Sequence, residues 1–352
     1  MKRPWLFASI ILILVTSIVL AFSPKTVPRD AGGLRNLAES RGIKIGAAVA
    51  VQPLREDAKY RQLLGREFNL LSSENAMKFE PLSPRRGAYD FTDADELVDF
   101  AKANGMDVHA HVLVWHNQLP KWLTEGKFSR EELTAILKEH IQKVVGHFRG
   151  KVDSWDVVNE AIADDGSLRN SIWLQGIGPG YIEMAFQWAR EADPKAHLFY
   201  NDYGGEGMNF KSNAIYNLVK SFKTRGIPLD GVGLQMHLGI GLGTMPPSDV
   251  MNNISRLGKL GLEVHITEMD VQIQRAFGSE AEKLAEQAKI YGDMLAACLS
   301  NKACKTFTVW GLTDKHSWIP GHTGNADSPL LFDEFYRPKP AYNALIEVLK
   351  KP

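Results

Sequence analysis

Short apolar segments alternate with longer amphipathic segments along almost the whole chain, a pattern typical of β-α units built around a parallel sheet. Each apolar segment is rich in Val, Ile, Leu, Phe or Trp, as a strand covered on both faces requires. Strands are predicted at 44–49, 68–72, 107–114, 152–158, 197–200, 231–236, 263–267 and 305–310. Helices are predicted at 58–67, 93–104, 130–148, 180–192, 211–225, 247–260 and 280–298. This order predicts an α/β fold, a single (β/α)8 TIM barrel.

The length of the chain favours one large domain, and its balanced charge favours a neutral partner. The chain has 352 residues, and such a barrel takes about 250 residues before insertions. No linker, charge block or repeat follows Gly33, so we expect one domain over residues 31–352. Acidic and basic residues balance at 41 each, which leaves no broad positive field for nucleic acid. We expect a monomer.

The first 30 residues are interpreted as a targeting segment. Lys2 and Arg3 precede an apolar run over residues 5–22. Its length lies at the border between a cleaved signal peptide, whose apolar core has about 7 to 15 residues, and a spanning helix, which needs about 17 to 25 residues. A signal peptide cleaved near 19–21 and a membrane tether are equal alternatives, and a buried core helix is less favoured. Either of the first two places the remainder outside the cytoplasm, as a secreted, periplasmic or anchored protein.

The two cysteines, Cys298 and Cys304, lie close together near the end of a predicted helix. In an oxidising compartment they would form a short-loop disulfide, and the alternative is a pair of buried thiols. They are too few, and too poorly spaced with histidines, for a zinc site. We therefore expect no metal and no cofactor.

Polar side chains follow seven of the eight predicted strands at their carboxyl ends, where the βα loops of a barrel build the active-site face. These segments are 73–78, 109–116, 155–160, 200–203, 235–237, 267–270 and 310–314. A single polar ending would carry no information about function, because any strand is followed by a polar loop. Seven endings that carry amide, carboxylate, imidazole and indole groups indicate one functional face.

Glu160 and Glu268 follow strands four and seven, which enter opposite sides of the barrel, so both are expected to face one cleft. Two carboxyl groups are the minimum for breaking an acetal, because one protonates the leaving oxygen and the other attacks or stabilises the oxocarbenium-like carbon. The adjacent Asn159 and an otherwise apolar strand favour Glu160. Asp270 and His237 are expected to form a relay that keeps Glu268 ionised. The competing acids are Asp156, Asp202, Glu74, Asp270 and Asp314.

Aromatic side chains in the same loops indicate a sugar ligand, because sugar rings pack their apolar C–H faces on indole and phenol surfaces. The candidates for substrate binding are Trp115, Tyr203, Trp310 and Trp318, and core packing is the alternative for each. Three further tryptophans are expected in the core or in helix packing: Trp155, Trp173 and Trp188.

Five stretches together resemble glycoside hydrolase family 10, the barrel-fold endo-1,4-β-xylanases. They are 74–78, 111–116, 155–160, 266–270, and 308–311 with Asp314 and Trp318, and the resemblance extends from Gly33 to Leu349. It implies a retaining endo-1,4-β-xylanase that hydrolyses internal β-1,4-xylosidic bonds of xylan or xylo-oligosaccharides by double displacement. It also favours the disulfide over free thiols.

The resemblance implies roles for individual residues. Glu160 would be the acid/base and Glu268 the nucleophile, with Asp270 in a supporting position. The residues implied around the sugar at the cleavage point are Asn159, His111, Trp115, Gln235, His237 and Trp310. Those implied to hold the next sugar on the non-reducing side are Glu74, Asn75 and Lys78. Trp318 would sit where a hexose hydroxymethyl group must pass, which favours xylose.

Two positions depart from the family pattern, because Ala110 replaces a usual glycine and His109 stands where a basic residue is common.

Three rival interpretations of the function remain. A β-1,4-glucanase or mannanase on the same barrel is opposed only by the size of Trp318. An inactive sugar-binding barrel would be expected to lack one carboxylate. A metal-dependent amidohydrolase needs His-x-His on the first strand, whereas His109 and His111 end the third.

Overall fold

The computed structural model describes residues 32–241 and 245–351, and in that part of the chain the predicted barrel is confirmed. The strands are β1 (Lys44–Val49), β2 (Leu70–Ser73), β3 (Asp107–Val114), β4 (Ser154–Asn159), β5 (His197–Asp202), β6 (Gly231–Leu234), β7 (His237–Gly239), β8 (Glu263–Gln272) and β9 (Cys304–Val309). Neighbouring strands are parallel, and β1 to β6, β8 and β9 close the barrel through the β6–β8 and β1–β9 pairings.

The helices occupy the connections between strands. They are α1 (Leu34–Ser40), α2 (Val51–Glu56), α3 (Ala58–Glu67), α4 (Phe79–Leu82), α5 (Thr92–Ala103), α6 (Lys121–Thr124), α7 (Arg130–His147), α8 (Ile172–Ile177), α9 (Tyr181–Ala192), α10 (Phe210–Arg225), α11 (Pro247–Gly258), α12 (Glu280–Leu299), α13 (Ile319–Thr323) and α14 (Pro340–Lys350). A 3₁₀ turn spans Asp314–His316. The predicted windows correspond to α3, α5, α7, α9, α10, α11 and α12.

The sixth and seventh predicted strands needed correction. β6 ends at Leu234 rather than at 236, because Met236 has a left-handed backbone with φ 65°. The chain then forms the extra strand β7, which pairs with the far end of β8 at His237 and Asp270. This pairing extends β8 to Gln272 and brings the polar residues of both segments together.

Alternation along the strands separates the barrel interior from the layer under the helices. His109 and His111, two positions apart on β3, both reach Asp156 on the neighbouring β4, so these three side chains point into the barrel. Trp155 points outward and lies 6.2 Å, between ring centroids, from Phe148 at the end of α7. Most buried residues of both layers are apolar, and several of the buried carboxylates lie at or just after the carboxyl ends of the strands, among them Glu160, Asp202, Glu268 and Asp270.

The segment predicted to serve targeting, including the apolar run over 5–22, lies outside the described residues. Within residues 32–241 and 245–351, no helix is both long enough and apolar enough to cross a membrane.

Candidate active site

Glu160 lies directly after β4, at the carboxyl end of the barrel. Its backbone is left-handed, with φ 57°, and its side chain is 8% exposed. One carboxylate oxygen, Oε2, accepts a hydrogen bond from Trp115 Nε1 at 2.8 Å. The other, Oε1, accepts from Gln235 Nε2 at 3.0 Å and from Asn159 Nδ2 at 3.2 Å. Donors from three loops thus fix the carboxyl group.

Glu268 lies in β8, which is three steps from β4 in the strand order, through β5 and β6. Asn201 Nδ2, at the end of β5, donates to Glu268 Oε1 at 2.6 Å and to Asn159 Oδ1 at 3.0 Å. Gln235 Nε2 also donates to Asn159 Oδ1, at 3.1 Å. A short chain of amides therefore connects Glu268 to Glu160 across one cleft.

Glycine in β6 makes this amide arrangement possible. A Cβ at Gly233 would overlap Asn201 Oδ1. That oxygen accepts from Thr267 Oγ1 at 2.7 Å, which fixes the amide so that its nitrogen faces Glu268. A side chain at position 233 would displace the donor that orients Glu268.

His237 connects Glu268 to Asp270. Its Nε2 lies 3.1 Å from Glu268 Oε2, and its Nδ1 lies 2.9 Å from Asp270 Oδ2. Burial lowers the pKa of His237, but Asp270 and Glu268 outweigh it and raise that pKa well above its ordinary value. Burial raises the pKa of Glu268, but His111 and His237 outweigh it and hold that pKa below its ordinary value. His237 therefore lies between two carboxylates, and its contact with Glu268 favours the ionised form of that carboxyl group.

His111 reaches both Asp156 and Glu268. Its Nδ1 lies 2.9 Å from Asp156 Oδ2 and 3.8 Å from Glu268 Oε1. Burial raises the pKa of Asp156, but the two histidines His109 and His111 outweigh it and hold that pKa well below its ordinary value. Among the described residues, one group has potential metal-ligating atoms within 4.8 Å of one another: His111, Asp156 and Glu268. The hydrogen bond between His111 and Asp156 accounts for this proximity without an ion.

The loop after β2 supplies a cation beside both carboxylates. Lys78 Nζ donates to Asn75 Oδ1 at 2.9 Å and to Gln118 Oε1 at 2.6 Å. It lies 5.0 Å from the centroid of the Trp115 ring. Burial lowers the pKa of Lys78, against the attraction of Glu268, Glu74 and Glu160. Burial also raises the pKa of Glu74, whose Oε1 accepts from Asn75 Nδ2 at 3.3 Å.

Aromatic rings surround these polar groups. The Trp310 ring lies 5.1 Å from that of His111 and 6.4 Å from that of His237, between centroids. Trp318 lies 5.1 Å from His237, and its Nε1 donates to Asp270 Oδ2 at 2.9 Å. Tyr203 is held on the opposite side by Lys211, whose Nζ is 3.5 Å from the ring centroid. The three tryptophans expected in the core are all buried: Trp155, Trp173 and Trp188.

The structure brings the residues predicted for the site to one face of the barrel, and it adds others. Asn201 is the most consequential addition, because it bonds both Asn159 and Glu268. A signal was available, since Asn201 ends a predicted strand and is in register with Asn159. His116 is a second addition, with Nδ1 3.7 Å from Glu160 Oε2. Asp314, a competing acid in the sequence, instead pairs with Lys339 at 2.9 Å beneath the loops.

A closed barrel whose mouth holds two buried, differently bonded carboxylates among tryptophans and amides is the arrangement expected of a glycosidase built on this fold. The sequence matches the glycosyl hydrolase family 10 over residues 33–348, and the chain belongs to that family.

Relatives with known structures or curated names agree with this membership. The chain is 45% identical over 349 residues to endo-1,4-β-xylanase B of Thermotoga neapolitana, covering 97% of each chain. It is similar to the crystal structure of xylanase 10B from Thermotoga petrophila in complex with xylobiose, with TM-score 0.87, 48% identity, and coverage of 90% of this chain and 97% of that one. An intracellular xylanase from Thermoanaerobacterium saccharolyticum superposes with TM-score 0.82 at 38% identity, covering 89% and 97%.

Proposed function

We propose that this protein is a retaining endo-1,4-β-xylanase in which Glu160 is the general acid/base and Glu268 is the nucleophile. The activity is supported by family membership and by relatives that are named xylanases. One observation of this chain supports the assignment of roles: two carboxylates lie in one cleft, and His111 and His237 hold the pKa of one of them, Glu268, below its ordinary value.

The contacts fit a double displacement. Glu268 attacks the anomeric carbon of the xylose while Glu160 donates a proton to the leaving glycosidic oxygen, which leaves a covalent glycosyl-enzyme. Glu160, now a carboxylate, then removes a proton from water as that water attacks the same carbon. The bond to Glu268 breaks, and the product keeps its β configuration.

The surrounding residues have separate tasks in this proposal. Asn201 and His237 hold the nucleophile, and Asn159 accepts a hydrogen bond from Asn201. All three are placed to bind sugar hydroxyls. Lys78, Asn75 and Glu74 extend this polar wall to the next sugar. The rings of Trp115, Trp310 and Trp318 supply apolar surface for the sugar faces.

Substitution of the proposed nucleophile tests the role of Glu268. Glu268→Ala is expected to lower kcat on xylan by at least about 10³-fold, because no other group can form the covalent intermediate. Binding of xylo-oligosaccharides, followed by calorimetry, should persist. Glu263→Ala is the matched control, since Glu263 begins the same strand at the opposite end of the barrel. Normal hydrolysis by Glu268→Ala, or NMR detection of an α-anomer as the first product, contradicts the proposal.

The location of the protein is a separate proposal. The basic start and the apolar run over residues 5–22 support export, with the catalytic domain at 31–352 outside the cytoplasm as a secreted, periplasmic or tethered enzyme. The intracellular relative shows that the family does not require export. Expression of the full chain in a bacterial host, followed by fractionation and mass spectrometry of the N-terminus, distinguishes a cleaved signal from a retained tether. Recovery of intact chain in the soluble cytoplasm contradicts export.

A further inference from the structure

The chain folds back on itself immediately after Glu160. Ile162 and Leu168 form an antiparallel bridge, and Arg169 N donates to Ala161 O at 2.7 Å. Because of this short hairpin, Arg169 lies beside Glu160, the residue after which the loop begins. The position of Arg169 beside Glu160 is therefore built into the backbone of the loop.

The Arg169 guanidinium makes three hydrogen bonds there. Nε donates to the backbone carbonyl of Glu160 at 2.7 Å, and Nη2 donates to the carbonyl of Ile162 at 3.2 Å. Nη2 also donates to Tyr203 Oη at 3.0 Å. A planar guanidinium can span several acceptors in one fixed geometry, which the single ammonium of lysine cannot do.

The backbone of Glu160 needs such support. Its φ of 57° is in the left-handed region, which is unfavourable for a residue with a Cβ and persists only where neighbouring groups hold it. On one side, Glu160 N donates to Asn201 O at 2.9 Å. On the other side, Arg169 holds the carbonyl. Because this conformation sets the direction of the Cα–Cβ bond, it also sets where the carboxyl group lies.

We propose that Arg169 is a positioning residue for the general acid/base step. It holds the left-handed backbone of Glu160 so that the carboxyl group reaches the glycosidic oxygen, and it ties that backbone to the substrate-facing ring of Tyr203. The inference rests on the proposed role of Glu160. Arg169 itself need not touch the reacting atoms.

A substrate that needs no proton separates positioning from simple stabilisation of the loop. With 2,4-dinitrophenyl β-xylobioside the leaving group departs unaided, so the first step does not depend on Glu160. The second step still needs Glu160 as a base for water. Azide needs no base, and it attacks the glycosyl-enzyme directly to give β-xylobiosyl azide.

The test compares Arg169→Met and Arg169→Lys with the wild type. For Arg169→Met, kcat/KM on xylan should fall by about 100-fold, the cost of a misplacement near 1 Å. For the dinitrophenyl substrate, kcat/KM should stay within about threefold, because that step needs no acid. Azide should raise kcat on this substrate and yield the β-azide. Arg169→Lys keeps the charge but loses the planar guanidinium that spans several acceptors. It should also lose activity on xylan and keep activity on the dinitrophenyl substrate, with a smaller loss on xylan.

Arg190→Met is the matched control for the loss of an arginine that binds backbone carbonyls. Arg190 donates to Pro194 O at 3.0 Å and Ala196 O at 2.8 Å, and it pairs with Asp230 near the amino ends of the strands. This control should melt at a lower temperature without changing the ratio of the two substrates. Equal losses on both substrates in the Arg169 variants, or no effect of azide, overturn the inference.

Glu160→Ala, measured in parallel, shows whether a negative result contradicts the role of Arg169 alone or also the assignment of Glu160 as acid/base. If azide rescues Glu160→Ala but neither Arg169 variant, the acid/base assignment stands and the role of Arg169 is wrong. If Glu160→Ala shows no azide rescue and loses both substrates equally, the assignment of Glu160 is wrong and the inference about Arg169 fails with it.

Discussion

At the scale of single residues, neighbouring groups rather than residue type separate the two glutamates. Glu268 accepts from an amide and an imidazole that itself faces a second carboxylate. Glu160 accepts from an indole and two amides. A buried carboxylate beside a cation favours the ionised form, and the histidines around Glu268 lower the pKa of its carboxyl group. The surroundings of Glu268 therefore suit the role of nucleophile proposed for it.

Asp270→Asn tests this explanation, because it removes the charge that helps to raise the pKa of His237. A less basic His237 stabilises the Glu268 carboxylate less, so the pKa of Glu268 should rise. Since the nucleophile must be ionised, the fall of kcat/KM on the acid side should begin at a higher pH than in the wild type. At a pH below the optimum the loss should be about tenfold or more, as expected for a charge-assisted hydrogen bond.

The pH profile of xylan hydrolysis checks the Asp270→Asn prediction. Asp99→Asn makes the same charge change on the exposed surface of α5 and should leave the profile unchanged. An acid limb that stays in place, or moves to lower pH, would show that His237 and Asp270 do not control the nucleophile.

Trp318 is expected to select pentose over hexose by its bulk. Trp318→Ala should raise the ratio of kcat/KM on β-1,4-gluco-oligosaccharides to that on xylo-oligosaccharides by about tenfold, the scale of discrimination that a small steric difference provides. Absolute rates should fall on both, because the bond from Trp318 to Asp270 is lost. Trp318→Phe keeps much of the bulk without the donor and should keep the preference. An unchanged ratio in the alanine variant removes the steric argument.

Much of the site was predictable because one rule covers it: reactive groups follow the carboxyl ends of barrel strands. The rule identifies Glu160, Glu268 and the polar residues around them. It does not identify Arg169, which lies well beyond a strand and reaches the site through a hairpin, nor does it rank Asn201 above its neighbours. Partners across strands depend on register, which a single sequence does not reveal.

At the scale of elements, α1 and β7 were not predicted because each is short or depends on a neighbour, whereas the eleven-residue α14 was not predicted despite its signal. α1 has only seven residues, and β7 has three and exists through its pairing with β8. α14 carried a clear signal, with proline in its first turn and buried Ala341, Leu345, Ile346 and Leu349 at helical spacing. It packs against α12 and α1.

The end of α12 is joined to the start of β9 by a disulfide between Cys298 and Cys304, which the sequence left open against free thiols. Both cysteines are buried, and the loop between them spans six positions. Closing so short a loop restricts the unfolded chain and contributes about 2 kcal/mol in the loop-entropy account. The double variant Cys298→Ala/Cys304→Ala should therefore unfold with a free energy lower by about 2 kcal/mol.

Denaturant unfolding with and without reductant measures the effect of the disulfide. The wild type should approach the double variant when reduced, and the variant should not respond to reductant. Xylan hydrolysis at moderate temperature should be unchanged, because Cys304 begins β9, at the end of the barrel away from Glu160 and Glu268. Equal stability of oxidised wild type and variant would contradict the prediction.

At the scale of the whole molecule, the barrel is expected to be a complete folding and catalytic unit without residues 1–31, for which a targeting role is proposed. The family match covers residues 33–348, and the solved Thermotoga petrophila xylanase has 97% of its length matched by this chain. A chain that starts at Gly32 should therefore keep kcat/KM on xylan within about twofold and should melt cooperatively within a few degrees of the full-length protein. Calorimetry and xylan hydrolysis on the two purified chains make the comparison, with detergent present for both so that the apolar segment does not aggregate. Loss of activity together with a broadened melting transition in the shorter chain would show that residues 1–31 belong to the catalytic domain, whereas an unchanged enzyme shows that the barrel folds and acts without them.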